Sequence, residues 1–196
     1  TGILPYVLPE LEACKGVAQP PEYHEEGDVW THLMNALASL PEDSSLLTHW
    51  AVIFHDIGKP ETFKIAERIR FDEHSERSAE IAERVMRRLH FSRQDIEHVS
   101  WAVRHNFMMV QLLDMPLGRQ RHWFLDPRFP TLLALFYADA AGTTPTDLSL
   151  YKKVKAAYEE CLRHFPERPK PLLTGEEVMK TLSLKAGPDV GNLLDE

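Results

Sequence analysis

Apolar residues recur along most of the chain at three- and four-residue spacing, a pattern that predicts helices. Val29, Leu33, Leu37 and Leu40 form one such stripe, which Pro41 ends. "SSLLTHWAVIFHDIG" predicts a second helix, with Leu46, Trp50, Phe54 and Ile57 on one stripe and Gly58 as its stop. Between Ser75 and Leu89, Ile81, Val85 and Leu89 share a face, while Glu80, Glu83, Arg84 and Arg87 lie mainly off it. Ser92, followed three residues later by Asp95, is a capping signature for a helix carrying Ile96, Val99 and Val103. "TLLALFYADAAG" reads as a short, very apolar helix ending near Gly142, and "LYKKVKAAYEECLRHF" as a more exposed one. Strand-like alternation is confined to "RIRFDEH", which predicts one short strand with Ile69 and Phe71 on the same side. "FPERPKP" predicts a stiff linker, and "LLTGEEVMKTL" a last small helix with Thr174 and Glu177 as its capping box. The reading is therefore all-α, with a main domain over residues 1–165 and a Pro-rich linker with a small helical appendage over 166–196.

The length of 196 residues supplies one sizeable core and at most a small appendage. A net charge of −8 argues against sequence-blind coating of nucleic acid by the whole surface. The clusters Arg84, Arg87, Arg88, Arg93 and Arg119, Arg121, Arg128 read as solvated helix faces and loops. Cys14 and Cys161 are too few for a disulfide framework or a thiolate zinc site, which points to a reducing compartment. No apolar run approaches a membrane span, and "TGILPYVLPE" is not built like a signal peptide, so a cytoplasmic location is expected. The missing initiator Met, and Leu193 and Leu194 so near the end, suggest a piece of a longer chain.

Ten histidines turn attention to metals and proton transfer. Several polar residues fall where the pattern is apolar. His32 shares a face with Val29, Leu33 and Ala36, and His55-Asp56 ends the greasiest helix. His74 begins a helix, His105 follows Val103 at the end of another, and Asp139 lies on the stripe of Leu132 and Phe136. A buried carboxylate is disfavoured unless it is paired or holds a metal. Each residue alone has a plain explanation: a hydrogen-bonded core histidine, a capping aspartate, or an Asp139–Arg104 pair. Together, five helices each offer an imidazole or a carboxylate toward one centre. His24, His90, His98, His122 and His164 fall in loops or on polar faces, and His49 is expected to make a core hydrogen bond. Trp123 and Phe124, beside Arg121, are better read as packing than as a base-stacking pair.

The order His32, His55-Asp56 within "HDIGK", His74, His105, Asp139 resembles the HD-domain metal-dependent phosphohydrolases, an all-helical superfamily. The resemblance implies a helical bundle around a metal site, with one divalent cation held by His32, His55, Asp56 and Asp139. It implies a second cation at His74 and His105, with Asp56 bridging. Imidazole and carboxylate donors suit Mn, Ni, Co, Fe, Mg or Zn and select none of them. A bound cation lowers the pKa of water enough to supply hydroxide near neutral pH. Asp56 and Lys59 are the candidate catalytic pair, with Lys59 and, more weakly, Arg104 as phosphate-neutralising groups.

The flanks narrow the resemblance. "GILPYVLPELEACKGVAQPPEYHEEGDVWTH" and "LLTGEEVMKTLSLKAGPDVGNLL" resemble the HD domain of bacterial tRNA nucleotidyltransferases and poly(A) polymerase-like enzymes, over nearly the whole chain. That family usually has Thr where Leu33 stands, Gly where Glu73 precedes His74, and a Gly-Ala pair where Ser78-Ala79 stands. The Gly-Ser loop and paired carboxylates of a nucleotidyltransferase head are missing, and so is the P-loop of the kinase that accompanies such modules in RNA end-repair enzymes. A nucleotidyltransferase or kinase domain is expected outside this stretch. The implied function is metal-dependent hydrolysis of 2′,3′-cyclic nucleotides or of 2′,3′-cyclic phosphates on RNA 3′ ends. A nucleotidase or dNTP phosphohydrolase, and a non-catalytic RNA-positioning domain, are the alternatives.

Overall fold

In the computed structural model, residues 2–165, 175–182 and 187 are described. Two short Pro-started helices, α1 (Leu4–Val7) and α2 (Pro9–Glu12), precede the first long one, α3 (Val29–Ser39). Asp28 caps α3, its carboxylate accepting from the Thr31 amide at 2.9 Å. Ser45 caps α4 (Leu46–Phe54) in the same way through the Thr48 amide. A single turn, α5 (Lys59–Thr62), leads into a two-stranded hairpin of β1 (Phe63–Ile65) and β2 (Ile69–Phe71). There follow α6 (His74–Arg88), α7 (Arg93–Arg104), two 3-10 segments (Asn106–Val110 and Leu112–Asp114), α8 (Leu117–Phe124), α9 (Phe129–Gly142), α10 (Ser149–His164) and α11 (Gly175–Leu182). The fold is mostly helical, as the spacing predicts. The Ser92 hydroxyl accepts from the Asp95 amide at 3.1 Å, so that capping signature operates. Among the described residues no helix is long and apolar enough to cross a membrane.

One core lies among α3, α4, α6, α7 and α9, around Leu33, Phe54, Ile81, Val85, Val99 and Leu135. A second, around Met109, Phe124, Phe129 and Leu132, joins α8, α9 and α10. Phe124 thus packs, as expected. Two glycines set the helix spacing at the centre. A β-carbon on Gly58 would lie 2.6 Å from the Ser78 amide nitrogen, and one on Gly142 would lie 2.5 Å from that of Ala36. Gly58 is needed for the close approach of α6 and has an ordinary φ of −84°, not the left-handed conformation that ends many helices.

Several local expectations change. Leu46 is 65% exposed and not on the buried stripe of α4, which instead runs through Thr48, Ala51, Val52 and Phe54. His49 is not in the core; its Nδ1 meets the Ser45 carbonyl one turn back. The predicted strand has a partner, β1, paired as Phe63 to Phe71 and Ile65 to Ile69. The "FPERPKP" linker after Phe165, the Thr174–Glu177 cap and the chain end beyond 187 lie outside the described residues.

Candidate metal centre

His32 projects from the first turn of α3 and is wholly buried. His55 and Asp56 sit just past the end of α4, where that helix abuts α6, and both are buried. Asp139 comes from α9, with a side chain 30% exposed. These four converge. The Nε2 atoms of His32 and His55 are 3.2 Å apart. Asp139 Oδ1 lies 3.1 Å from His32 Nε2 and 3.6 Å from His55 Nε2. Asp56 Oδ2 lies 3.7 and 3.4 Å from the same two nitrogens.

The tautomers follow from what the other ring nitrogens touch. His55 Nδ1 is 2.7 Å from the Val52 carbonyl, which can only accept, so Nδ1 carries the proton. His32 Nδ1 donates to the Glu26 carboxylate at 3.0 Å. Each ring therefore turns its Nε2 toward the same point as two carboxylate oxygens. With both rings neutral these are four acceptors facing one another, which repel unless a cation or a shared proton lies between them. His32, His55 and Asp139 form a possible metal-binding group on distance alone.

A proton on His55 takes the cation's place when none is bound. Burial drives the His55 imidazole down, yet Asp56 and Asp139 together override it and raise His55 to about 9. Burial would raise Asp56, but Lys59 first, then His55, His74 and His32, hold it well below the ordinary carboxylate range. Burial would likewise raise Asp139, and the hydrogen bonds to His32 and His55 keep it well below that range. Beside Asp139, Asn106 donates to Oδ2 at 3.1 Å and leaves its own Oδ1 buried and without a partner.

Lys59 is not a surface lysine in a turn. It is 6% exposed, and its ammonium lies 2.6 Å from Asp56 Oδ2 and 2.7 Å from Gln19 Oε1. His74 Nε2 reaches the other Asp56 oxygen at 3.6 Å, and its Nδ1 meets the Phe71 carbonyl of β2 at 2.8 Å. His105 Nδ1 meets the Trp101 carbonyl at 2.7 Å, and its ring packs between Trp101 and Trp123. His105 makes no ion pair among the described residues, and its imidazole is pushed down by burial. Arg104 reaches Glu83 at 3.4 Å, not Asp139. A cleft of about 830 Å³ opens beside the centre, with Lys59, His74, Arg104 and His105 in its wall.

Two of the family departures have structural consequences. Glu73 adopts a left-handed φ of 59° at the turn from β2 into α6, a conformation that glycine adopts without strain. Ser78 is fully buried, and its hydroxyl accepts from the Gly58 amide at 2.9 Å, tying α6 to the loop that carries Asp56.

Sequence reasoning missed the groups behind this centre. Glu26, its side chain 2% exposed, accepts from His24 Nδ1 at 2.7 Å, His32 Nδ1 at 3.0 Å and the Thr144 amide at 2.8 Å. Burial would raise it, but the bonds from His24 and the Thr144 amide keep it below the usual carboxylate range. His24, read as a loop residue, belongs to this network. Gln19 and Asn106 were also missed. The stretch "HEEGDVWTH" contained the signal for His24 and Glu26, but spacing alone cannot choose Glu26 over Glu25.

The chain belongs to the HD domain family, whose match covers residues 28–141. It is 33% identical to the A-adding tRNA nucleotidyltransferase of Deinococcus radiodurans over 98% of this chain and 46% of that protein. It is 35% identical to the CC-adding tRNA nucleotidyltransferase of Thermus thermophilus over 98% of this chain and 45% of that one. A 90-residue stretch is 43% identical to the multifunctional CCA protein of Halorhodospira halophila, covering 45% of this chain and 21% of the relative. The chain spans just under half the length of the first two relatives.

Proposed function

We propose that the chain is a divalent-metal-dependent phosphodiesterase that opens 2′,3′-cyclic phosphates on nucleotides or on RNA 3′ ends. The observation that carries this reading is the convergence of the Nε2 atoms of His32 and His55 with two ionised carboxylates beside a cleft. His32, His55, Asp56 and Asp139 are the proposed ligands. His74, on the second oxygen of Asp56, and His105 are the proposed donors for a second cation. When bound, the cation supplies Lewis acidity and makes hydroxide available from water near neutral pH.

The protein's own groups do the rest. Asp56 stays ionised because Lys59 faces it. Lys59 has three ammonium donors. Asp56 and Gln19 take two, which leaves one for a phosphate oxygen in the cleft. Arg104 stands in the same wall as a second phosphate-neutralising group. In the reaction, the water oxygen bonds to phosphorus, one ribose P–O bond breaks and the freed ribose oxygen takes a proton. The product is a terminal phosphomonoester. A strained cyclic diester asks for no base recognition at the buried centre, which matches a ligand pocket of imidazoles and carboxylates.

The relatives favour a second reading: the chain serves as the RNA-positioning part of a tRNA nucleotidyltransferase, whose catalytic head lies outside it. A nucleotidase acting on free nucleotides is the nearest alternative chemistry. Hydrolysis of 2′,3′-cAMP by the purified chain, with Mn, Co, Ni, Mg or Zn added in turn, tests the proposal. Metal-dependent product that is lost in Asp56→Asn supports it. Folded protein that makes no product with any metal overturns it in favour of the positioning role or a nucleotidase.

A further inference from the structure

The cleft beside the candidate centre has two aromatic rings in its wall that are largely open to solvent. Tyr23, 59% exposed, lies in the loop ahead of α3, and Phe107, 60% exposed, lies two residues after His105. Of the other exposed rings, Phe63 packs on Phe71, Phe165 lies under Arg121, and Tyr6 lies outside the cleft wall. Tyr23 and Phe107 make no ring contact among the described residues. The charges of the wall nearly cancel, with Lys59, Arg68, Arg70 and Arg104 against Asp72, Glu73 and Glu76. Arg70 is already held by Asp72, and Lys59 by Asp56. Arg68, in the turn between β1 and β2, has no acidic partner among the described residues.

A wall with little net charge gains little from the backbone of a duplex, where affinity comes from neutralising phosphates. Open aromatic faces suit unpaired bases, which stack whatever their sequence. We propose that this cleft binds the last nucleotides of a single-stranded RNA end. The bases stack on Tyr23 and Phe107, a backbone phosphate meets Arg68, and the terminal phosphate lies at Lys59. The inference rests on the phosphodiesterase reading of the centre, and it adds that an RNA strand, more than a free mononucleotide, is the substrate.

The test is fluorescence anisotropy with a labelled pentaribonucleotide carrying a 3′-phosphate, in EDTA, so that binding is read without turnover. Tyr23→Ala and Phe107→Ala are each expected to weaken binding about 5- to 100-fold. Arg68→Ala is expected to reduce the salt slope by about 1. A blunt duplex of the same sequence is expected to compete at least about tenfold more weakly than the single strand. Unchanged binding in both aromatic variants, equal competition by the duplex, or no binding by folded wild-type protein would each overturn the inference. Hydrolysis of 2′,3′-cAMP by the wild type, measured in parallel, shows whether the phosphodiesterase reading survives that failure.

Discussion

Removing the Glu26 carboxylate strips His32 of the acceptor that fixes its tautomer. In Glu26→Ala, the fully buried His32 Nδ1 loses its partner, and the half-buried His24 Nδ1 and the Thr144 amide lose theirs. A buried donor left unsatisfied costs about 1–3 kcal/mol. Water can reach the Thr144 amide and part of His24, so a total near 2–3 kcal/mol is expected. At about 2–4 °C per kcal/mol for a domain of this size, the melting temperature in EDTA should fall by about 4–12 °C. Glu26→Gln keeps the shape and one acceptor, so its loss should be smaller. Both changes free the His32 ring to turn or to move its proton to Nε2, which removes the lone pair from the centre. Outer groups of this kind typically account for about 10–100-fold in metal affinity. Thermal unfolding and Mn titration by calorimetry measure the two effects separately. A Glu26→Ala protein with wild-type melting temperature and wild-type Mn affinity would refute the reasoning.

Four further outcomes are expected. Because His55 is raised to about 9, Mn binding near pH 7.5 should release a proton, and affinity should climb about tenfold per pH unit from 7 toward 9; a flat profile would contradict this. The same shift makes a cation-free stability term that is full below the unfolded value near 6.5 and lost as pH rises through about 9, so the EDTA melting temperature should fall across that window. Glu73→Gly should leave stability unchanged or raise it by up to about 1 kcal/mol, since the residue holds a left-handed φ; a clear loss in chemical denaturation would show that the Glu73 side chain matters. Native alkylation at pH 8 should spare Cys14, which is buried with its thiol pushed up to about 12, and slowly modify the partly exposed Cys161, as peptide mass spectrometry would show.

The long helices were legible because apolar spacing and capping residues agree, as at Ser92 with Asp95. In α4 nearly every position is apolar, so the sequence could not show which side faces inward, and Leu46 was misplaced. α1 and α2 are too short and too Pro-rich to carry a period. β1, "FKI", is three exposed residues whose reason for being a strand is its pairing with β2. The candidate centre was legible through polar residues on apolar faces: His32, His55, Asp56 and Asp139 meet. Lys59 could not be placed from sequence, because its burial depends on Gln19, 40 residues away. Glu26 was hidden because its part depends on a loop that folds back so that one carboxylate meets two imidazoles and the distant Thr144 amide.

The most direct measurement is calorimetric titration of metal-free protein with Mn, repeated with Asp139→Asn and His55→Ala. The account predicts saturable binding with proton release and a raised melting temperature in the wild type, and loss of both in the two variants. Folded wild-type protein with no binding heat and no thermal shift, or variants that bind as the wild type does, would contradict a metal centre built by these residues.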